Sequence, residues 1–326
     1  MGYKTTDELM LHLCENGIEI KGEDQKRLLI NTGYYHGYKG YRFFKKPHNK
    51  IPFKTYDEIY ATIQYDSKLK TLIYEKMMFI ETAIKNIALE SILIYADSES
   101  INDMFDKVIC GYNNVPKTIS PKNRKNIQQN KLNLKNTIQS NLARAYKNNN
   151  PKITHFYNGI GYSDVPIWAL FEIMTMGDMG RLLSCLTFEV RDNISKRIGF
   201  NVSCDTNREL IYKYLYTLKD LRNAIAHNSV IFDGRFKKIS ITKPMRRCLE
   251  IEIGLSYVNF DTIGDYIILI CYYLKLLKVS KDEIDCFISD FKEIVNDYKS
   301  LVPLEIYAKV VHVDLDSRLS ILKKFI

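Results

Sequence analysis

The chain has 326 residues, of which 46% are hydrophobic and 26% are charged. This composition excludes an intrinsically disordered protein, and the length suffices for one large domain or two of ordinary size. Only 8 Pro and 15 Gly interrupt the sequence, and the formal net charge is +9. Because apolar residues recur at spacings of three and four in most windows, the sequence predicts an all-α fold.

Neither a leader, a membrane segment nor a metal site is predicted. The first five residues lack the basic and then apolar pattern of a secretory signal. The longest apolar run, Tyr266 to Leu277, is shorter than the roughly 20 residues of a membrane span. Seven cysteines are scattered singly, which favours reduced thiols, several of them in the core. We expect a cytoplasmic protein with no cofactor, no metal and no membrane contact.

Two helices and an aromatic segment are predicted first. Thr5 and Glu8 form a capping box that begins one helix, and a second covers Glu23 to about Thr32. The segment from Tyr34 to Lys46 then interleaves aromatic and basic side chains between glycines. Such a segment either stacks on nucleic-acid bases or forms a hydrophobic plug under a loop, with its charges toward solvent.

A second capping box, Thr55 with Glu58, precedes an apolar pattern that reaches about Ala96. It predicts one long helix or two stacked ones. Within it, Glu81 and Lys85 are four residues apart. They form either a surface ion pair or a pair that faces inward toward an arginine later in the chain.

The excess positive charge belongs to residues 107–163. This stretch contains no Asp or Glu and ten of the 47 basic residues, so the rest of the chain has 37 basic against 38 acidic residues. Within it, the apolar residues of Ser120 to Lys152 are loosely spaced and predict one marginal helix between polar loops. The stretch either binds phosphates of RNA or is a solvated, flexible insertion. The candidate RNA-binding residues are Lys117, Lys122, Arg124, Lys125, Lys131, Lys135, Arg144 and Lys147.

A new helix is predicted at Pro166, which suits a first helical turn. Glu172 follows Trp168 by one turn on the same face, where a carboxylate needs a partner or water. A later helix begins at about Asn207 and reaches residues 222–227. After it, residues 238–257 predict a short hairpin or an irregular lid, and two further helices are expected at about 260–279 and 280–300.

Residues 222–227 read Arg-Asn-Ala-Ile-Ala-His. Arg222 follows Leu218 by four positions and is expected on the same interior side. A fixed cation and a titratable imidazole, Arg222 and His227, suit cleavage of a phosphodiester. The structural alternative is that Arg222 bridges an interior acid such as Glu81 or Glu172 and that His227 caps the helix end.

Four stretches in chain order carry a resemblance to a known family. They are Ile30 to Tyr35 with Gly40-Tyr41; Tyr65 to Leu69 leading to Ile80-Glu81; Pro166 to Trp168 with Glu172 and Gly177; and Leu221 to His227. On these residues the chain resembles the Abi-like family of bacterial abortive-infection proteins, of the AbiD/AbiF type. The likeness spans about residues 5 to 235.

The resemblance implies a HEPN-like helical bundle over residues 55–235, with the basic insertion at about 107–163. An N-terminal helical and aromatic segment, residues 1–54, precedes this core, and a C-terminal helical region, residues 236–326, follows it. The chain departs from the family pattern at Asn228, Ser229 and Val230, and has Lys85 where an arginine often stands.

The resemblance to HEPN ribonucleases further implies a metal-independent endoribonuclease that leaves 2′,3′-cyclic phosphate ends. In that enzyme His227 would be the general base or acid, Arg222 would stabilise charge on phosphorus, and Asn223 would orient the histidine or the phosphate. Glu81, Lys85 and Glu172 would support the site. The expected partners are a second copy of the chain and a structured noncoding RNA. Two alternatives stay open: a noncatalytic RNA-binding or regulatory protein, and a toxin held by a protein antitoxin.

Overall fold

Apolar residues at helical spacing build almost all of the regular structure. The computed structural model describes residues 3–158, 164–312 and 314–326. Within these ranges the regular elements are helices, and β-structure is limited to isolated single-residue bridges. The predicted all-α fold is therefore confirmed. Met1, Gly2 and Gly159 to Ser163, which carried part of the leader and basic-segment predictions, lie outside the described residues.

The helices in chain order are α1 (Thr6–Glu15), α2 (Gly22–Thr32), a π-helical segment (Gly33–Tyr38), α3 (Lys39–Tyr41), α4 (Tyr56–Ala96), α5 (Ile101–Lys107), α6 (Pro121–Lys147), α7 (Pro151–Asn158), α8 (Ile167–Ile173), α9 (Met176–Cys185), α10 (Phe188–Ile198), α11 (Leu210–Ala226), α12 (Lys243–Ile253), α13 (Ile263–Leu276), α14 (Lys281–Leu301), α15 (Leu304–Val310) and α16 (Leu315–Phe325).

These elements form two compact units. Unit 1 consists of Met1–Met77, Asp220–Ile241 and Leu249–Ile326, and unit 2 of Met78–Lys219 and Thr242–Cys248. The helices α4, α11 and α12 each contribute residues to both units.

The predicted capping boxes begin their helices. Glu8 donates its backbone N–H to Thr5 Oγ1 at 3.3 Å, and the Thr5 N–H donates to Glu8 Oε2 at 2.6 Å. Thr55 and Glu58 make the same reciprocal pair at 3.3 and 3.1 Å. Each pair satisfies N–H groups that have no partner inside the helix. The helix that Thr55 begins, α4, is a single helix of 41 residues.

Unit 1 has its core around α13, in which every residue from Ile263 to Leu274 is buried. This helix packs against α14 and α16. In the N-terminal segment, Tyr34, Tyr38 and Tyr41 are buried, which fits the hydrophobic-plug interpretation, whereas Tyr35 is exposed. Among the described residues, no helix combines the length and the apolar character that crossing a bilayer requires.

Unit 2 has α6 at its centre, where α6 packs against α7, α8 and α9. The helix predicted within residues 120–152 is present as α6, which extends over 27 residues, and α7 follows it. Leu134, Ile138, Leu142 and Ala145 are spaced four, four and three residues apart and form a continuous buried stripe. This stripe stabilises a helix whose surface is otherwise polar.

The hairpin predicted within residues 238–257 is absent from the described structure, which has α12 there. Leu249, Ile251 and Ile253 alternate in sequence, but Leu249 and Ile253 are buried while Ile251 is exposed. The two buried residues are four apart, so helical spacing, not strand alternation, explains the pattern.

Candidate functional site

The helix with the Arg-Asn-Ala-Ile-Ala-His segment, α11, has defined caps at both ends. At its start, Asp205 accepts the backbone N–H groups of Glu209 and Leu210 at 2.8 and 3.0 Å. At its end, the Ser229 N–H donates to Ala224 O at 2.8 Å, and the Asn228 N–H donates to Ile225 O at 3.0 Å. These two bonds form a Schellman motif.

The Schellman motif accounts for one departure from the family pattern. Asn228 has φ of +50°, in the left-handed region, and asparagine tolerates this conformation better than most residues do. His227 immediately precedes it, and its side chain is exposed at the carboxyl end of α11. His227 thus occupies the C-cap position of α11.

A cleft of about 310 Å³ lies beside the last turns of α11. Asp220, Asn223, Ala224 and His227 form its helical wall, and their spacing of three, one and three places them in one row. The other wall is the segment after the helix, which contributes Ser229, Val230, Arg235, Phe236 and Lys238. The cleft thus brings an imidazole and a carboxamide together with a hydroxyl and an amine.

Arg222 falls outside this row. Its side chain is half-buried, and its Nη1 lies 3.4 Å from Asn223 Oδ1. In an ideal helix, residues five apart are rotated by about 140°, so Arg222 and His227 lie on different sides of α11. Asn223 contacts the guanidinium and also lines the cleft with His227.

The buried Asp220 fixes the far wall of the cleft. Its Oδ2 accepts the backbone N–H groups of Lys238 at 2.8 Å and Ile239 at 3.1 Å. These bonds hold the chain against α11, while the Lys238 side chain is exposed.

Asp66 anchors the loop that follows His227, a role that was not predicted. This carboxylate is fully buried, and its Oδ1 accepts the N–H groups of Ile231 and Phe232, each at 2.9 Å. Its Oδ2 accepts a hydrogen bond from the Tyr41 hydroxyl at 2.8 Å and forms an ion pair with the Lys70 ammonium at 2.8 Å. Burial, and then the negative charge of Asp66, raise the pKa of Tyr41.

Lys70 extends this anchor to the residue beside His227. Its Nζ donates to Asn228 Oδ1 at 2.9 Å and forms the ion pair with Asp66. The Asp66 carboxylate therefore holds the Ile231 backbone directly and the Asn228 side chain through Lys70. Asp66 lies in a stretch that carried the family resemblance, but its sequence neighbours gave no sign of this function.

Arg235 fixes the other end of the loop. Its guanidinium donates to both carboxylate oxygens of the buried Asp233 and to the carbonyls of Gly40 at 2.7 Å and Phe43 at 2.6 Å. It also stacks on the Phe43 ring, with 4.3 Å between the guanidinium carbon and the ring centroid. The aromatic N-terminal segment thus serves as a support for the cleft wall.

The candidate supporting residues lie in unit 2. Glu81 is buried and pairs with Lys85 at 3.0 Å, and Lys85 also donates to Met174 O at 2.8 Å. The pair is therefore an interior one and not a surface bridge. Glu172 is exposed and pairs with Lys152. Its proposed place as an interior acid is wrong, because the face that it shares with the 41% exposed Trp168 lies at the surface.

The candidate RNA-binding residues divide into two groups. Arg124 donates to Tyr112 O at 3.0 and 2.9 Å and stacks on that ring, and Lys131 donates to Phe105 O. Both have structural contacts within unit 2. The others are exposed to solvent: Lys117, Lys122, Lys125, Lys135, Arg144 and Lys147.

No group of three or more His, Cys, Asp or Glu side chains that could hold a metal ion occurs within residues 3–158, 164–312 and 314–326. A family model described as "Abi-like protein" matches residues 27–233, more than half of the chain. The matched range includes Asp66, the basic helix α6 and the segment from Arg222 to His227. The comparisons with curated proteins and with solved structures each returned no match.

Proposed function

Because the chain belongs to the Abi-like family, we propose that it acts in abortive infection, a defence against phage, as a metal-independent endoribonuclease of the HEPN type. One observation carries this proposal: His227 is exposed in a cleft that it shares with Asn223, Ser229 and Lys238. A base beside neutral and cationic hydrogen-bond donors suits a ribose-phosphate.

In the proposed reaction, His227 removes the proton from a ribose 2′-hydroxyl. The 2′-oxygen attacks the adjacent phosphorus, the bond to the 5′-oxygen breaks, and a protonated imidazole returns a proton to that oxygen. The products are a 2′,3′-cyclic phosphate and a 5′-hydroxyl. Asn223 would orient the phosphate, and a guanidinium would stabilise the negative charge that builds up on it.

The position of Arg222 favours a site made from two chains. Within one chain, Arg222 and His227 lie on different sides of α11, and Arg222 is outside the row that lines the cleft. We infer that two copies pair so that both side chains reach one phosphate, as the resemblance to HEPN ribonucleases implies. The exposed cations of α6 would hold the RNA, with a structured noncoding RNA as the expected partner.

The test uses purified protein and total RNA in excess EDTA. His227→Ala and Arg222→Ala should each lower the cleavage rate by about 100-fold or more, because each removes a group that acts in the transition state. The matched controls, His48→Ala and Arg27→Ala, replace an exposed histidine and arginine elsewhere in unit 1 and should cleave like the unchanged protein.

Product ends provide a second readout. Cleavage should leave 2′,3′-cyclic phosphates, and RNA with a 2′-deoxyribose at the cut position should resist it. Equal cleavage by the unchanged protein and His227→Ala would refute the proposal, as would inhibition by EDTA.

A noncatalytic RNA-binding function is the second candidate. If the chain acts as a monomer, the separation of Arg222 from His227 around α11 favours the noncatalytic function. The cleft would then hold a phosphate without the Arg222 guanidinium. In that case His227→Ala would weaken RNA binding while no variant cleaved. Sedimentation of the protein alone and with RNA distinguishes the monomer from the dimer.

A further inference from the structure

A second groove lies in unit 2 between α6 and α7, with a volume of about 280 Å³. Gln139, Leu142, Ala143 and Tyr146 form one side of it, and Tyr157 of α7 forms the other. The α6 residues follow a spacing of three, one and three, so they lie on one face of the helix. Leu142 is buried and gives the groove an apolar floor.

The two tyrosines are held in a fixed arrangement. Their ring centroids are 5.4 Å apart at an angle of 81°, so the rings meet edge to face. The Tyr146 hydroxyl donates to Asn158 Oδ1 at 2.9 Å, which fixes the ring, yet Tyr146 is 44% exposed. An exposed, oriented aromatic ring over an apolar floor is suited to stacking with another flat ring.

The charges along the same helix indicate which kind of flat ring this groove is suited to bind. Lys135 lies one turn before Gln139, Lys147 lies one turn after Ala143, and both are exposed. They are about 18 Å apart along an ideal helix. The surrounding stretch, residues 107–163, contains no Asp or Glu. Cations at both ends of an aromatic groove are complementary to bases joined by phosphates.

We propose that this groove binds an unpaired base of single-stranded RNA. The base stacks on Tyr146 and is held against the Leu142 floor, and the Gln139 amide, which both donates and accepts, bonds to the base edge. Lys135 and Lys147 contact the flanking phosphates. The proposal rests on RNA as the ligand of this protein and does not depend on cleavage at His227.

The experiment measures binding of a labelled unstructured RNA 12-mer to the His227→Ala protein, so that cleavage does not interfere. A second oligomer has the same backbone but abasic positions at its centre. Tyr146→Ala should weaken binding of the first oligomer by about 5-fold to 100-fold and leave binding of the abasic one unchanged. Tyr146→Phe, which keeps the ring, should retain most of the affinity.

Salt dependence separates the cations from the ring. Combined substitution Lys135→Ala and Lys147→Ala should reduce the slope of log affinity against log salt by about 1.4, whereas Tyr146→Ala should leave the slope unchanged. The matched control, Tyr74→Ala, removes a similarly exposed tyrosine in unit 1 and should bind like the parent.

Three results would overturn the groove as a base-binding site: equal affinity of the parent for the two oligomers, equal loss in Tyr146→Phe and Tyr146→Ala, or no loss in either. A peptide rich in Asp that displaced the RNA and depended on Tyr146 equally would assign the groove to protein instead. These outcomes are independent of cleavage, because an intact nuclease can lack this groove's function and a noncleaving protein can retain it.

Discussion

Replacing Asp66 by Asn should destabilise the protein strongly, although the two side chains have almost the same shape. The carboxylate accepts three hydrogen bonds, from two backbone N–H groups and the Tyr41 hydroxyl, and forms an ion pair with the Lys70 ammonium. Asparagine can keep its oxygen toward the backbone groups. Its amide nitrogen, which only donates, would then face the hydroxyl and the ammonium.

The magnitude follows from the burial of both charges. Asp66 is fully buried and Lys70 is 8% exposed. The substitution therefore leaves the Lys70 ammonium without its counterion at a position where little water can solvate it. Removing one partner of such a pair costs about 3–5 kcal/mol. Replacing both, with Asp66→Asn and Lys70→Met together, removes the uncompensated charge and should cost at least about 1 kcal/mol less than the sum of the single substitutions.

Urea denaturation, monitored by far-ultraviolet circular dichroism, measures the free energies of unfolding. Fluorescence of Trp168, the single tryptophan, follows unit 2 separately from the helices of unit 1. The control, Glu75→Gln, removes an exposed acid from the same helix and should change stability by less than about 1 kcal/mol. A loss below about 1 kcal/mol in Asp66→Asn, or strict additivity with Lys70→Met, would refute the role assigned to the anchor.

Two further predictions concern other charged groups. Arg235→Lys should lower the free energy of unfolding by about 2–4 kcal/mol in the same denaturation assay. The reason is that an ammonium cannot bond to Asp233 and two carbonyls in one plane. An unchanged midpoint of urea denaturation would contradict this. Hydrogen bonds from Lys196, and then from Arg208, lower the pKa of Asp192 in the folded protein. The ionised Asp192 therefore stabilises the fold above its unfolded pKa, near 3.8, and this stabilisation is lost as pH falls through the lower folded pKa. The difference in thermal midpoint between the unchanged protein and Asp192→Asn should therefore shrink below about pH 4, and a difference constant from pH 7 to 2.5 would contradict it.

The sequence alone was sufficient for the local features. The capping boxes at Thr5 and Thr55 specify helix starts through contacts between residues three apart, and they form as expected. The pairing of Glu81 with Lys85 also follows from helical spacing, since residues four apart meet on one face. Such interactions depend on the backbone of one element, which the residue pattern determines.

Burial and the assembly of the cleft required the tertiary structure. Spacing cannot tell that Glu81 is buried while Glu172 is exposed, because each lies on a helix whose neighbours decide which face meets water. The roles of Asp66 and Arg235 arise from bonds to residues 165 to 195 positions away in the chain. The sequence thus determined the helix starts at Thr5 and Thr55 and the residues at the end of α11. Folding alone decided what surrounds His227, because the carboxylate and the guanidinium that hold its loop find their partners only when distant segments pack together.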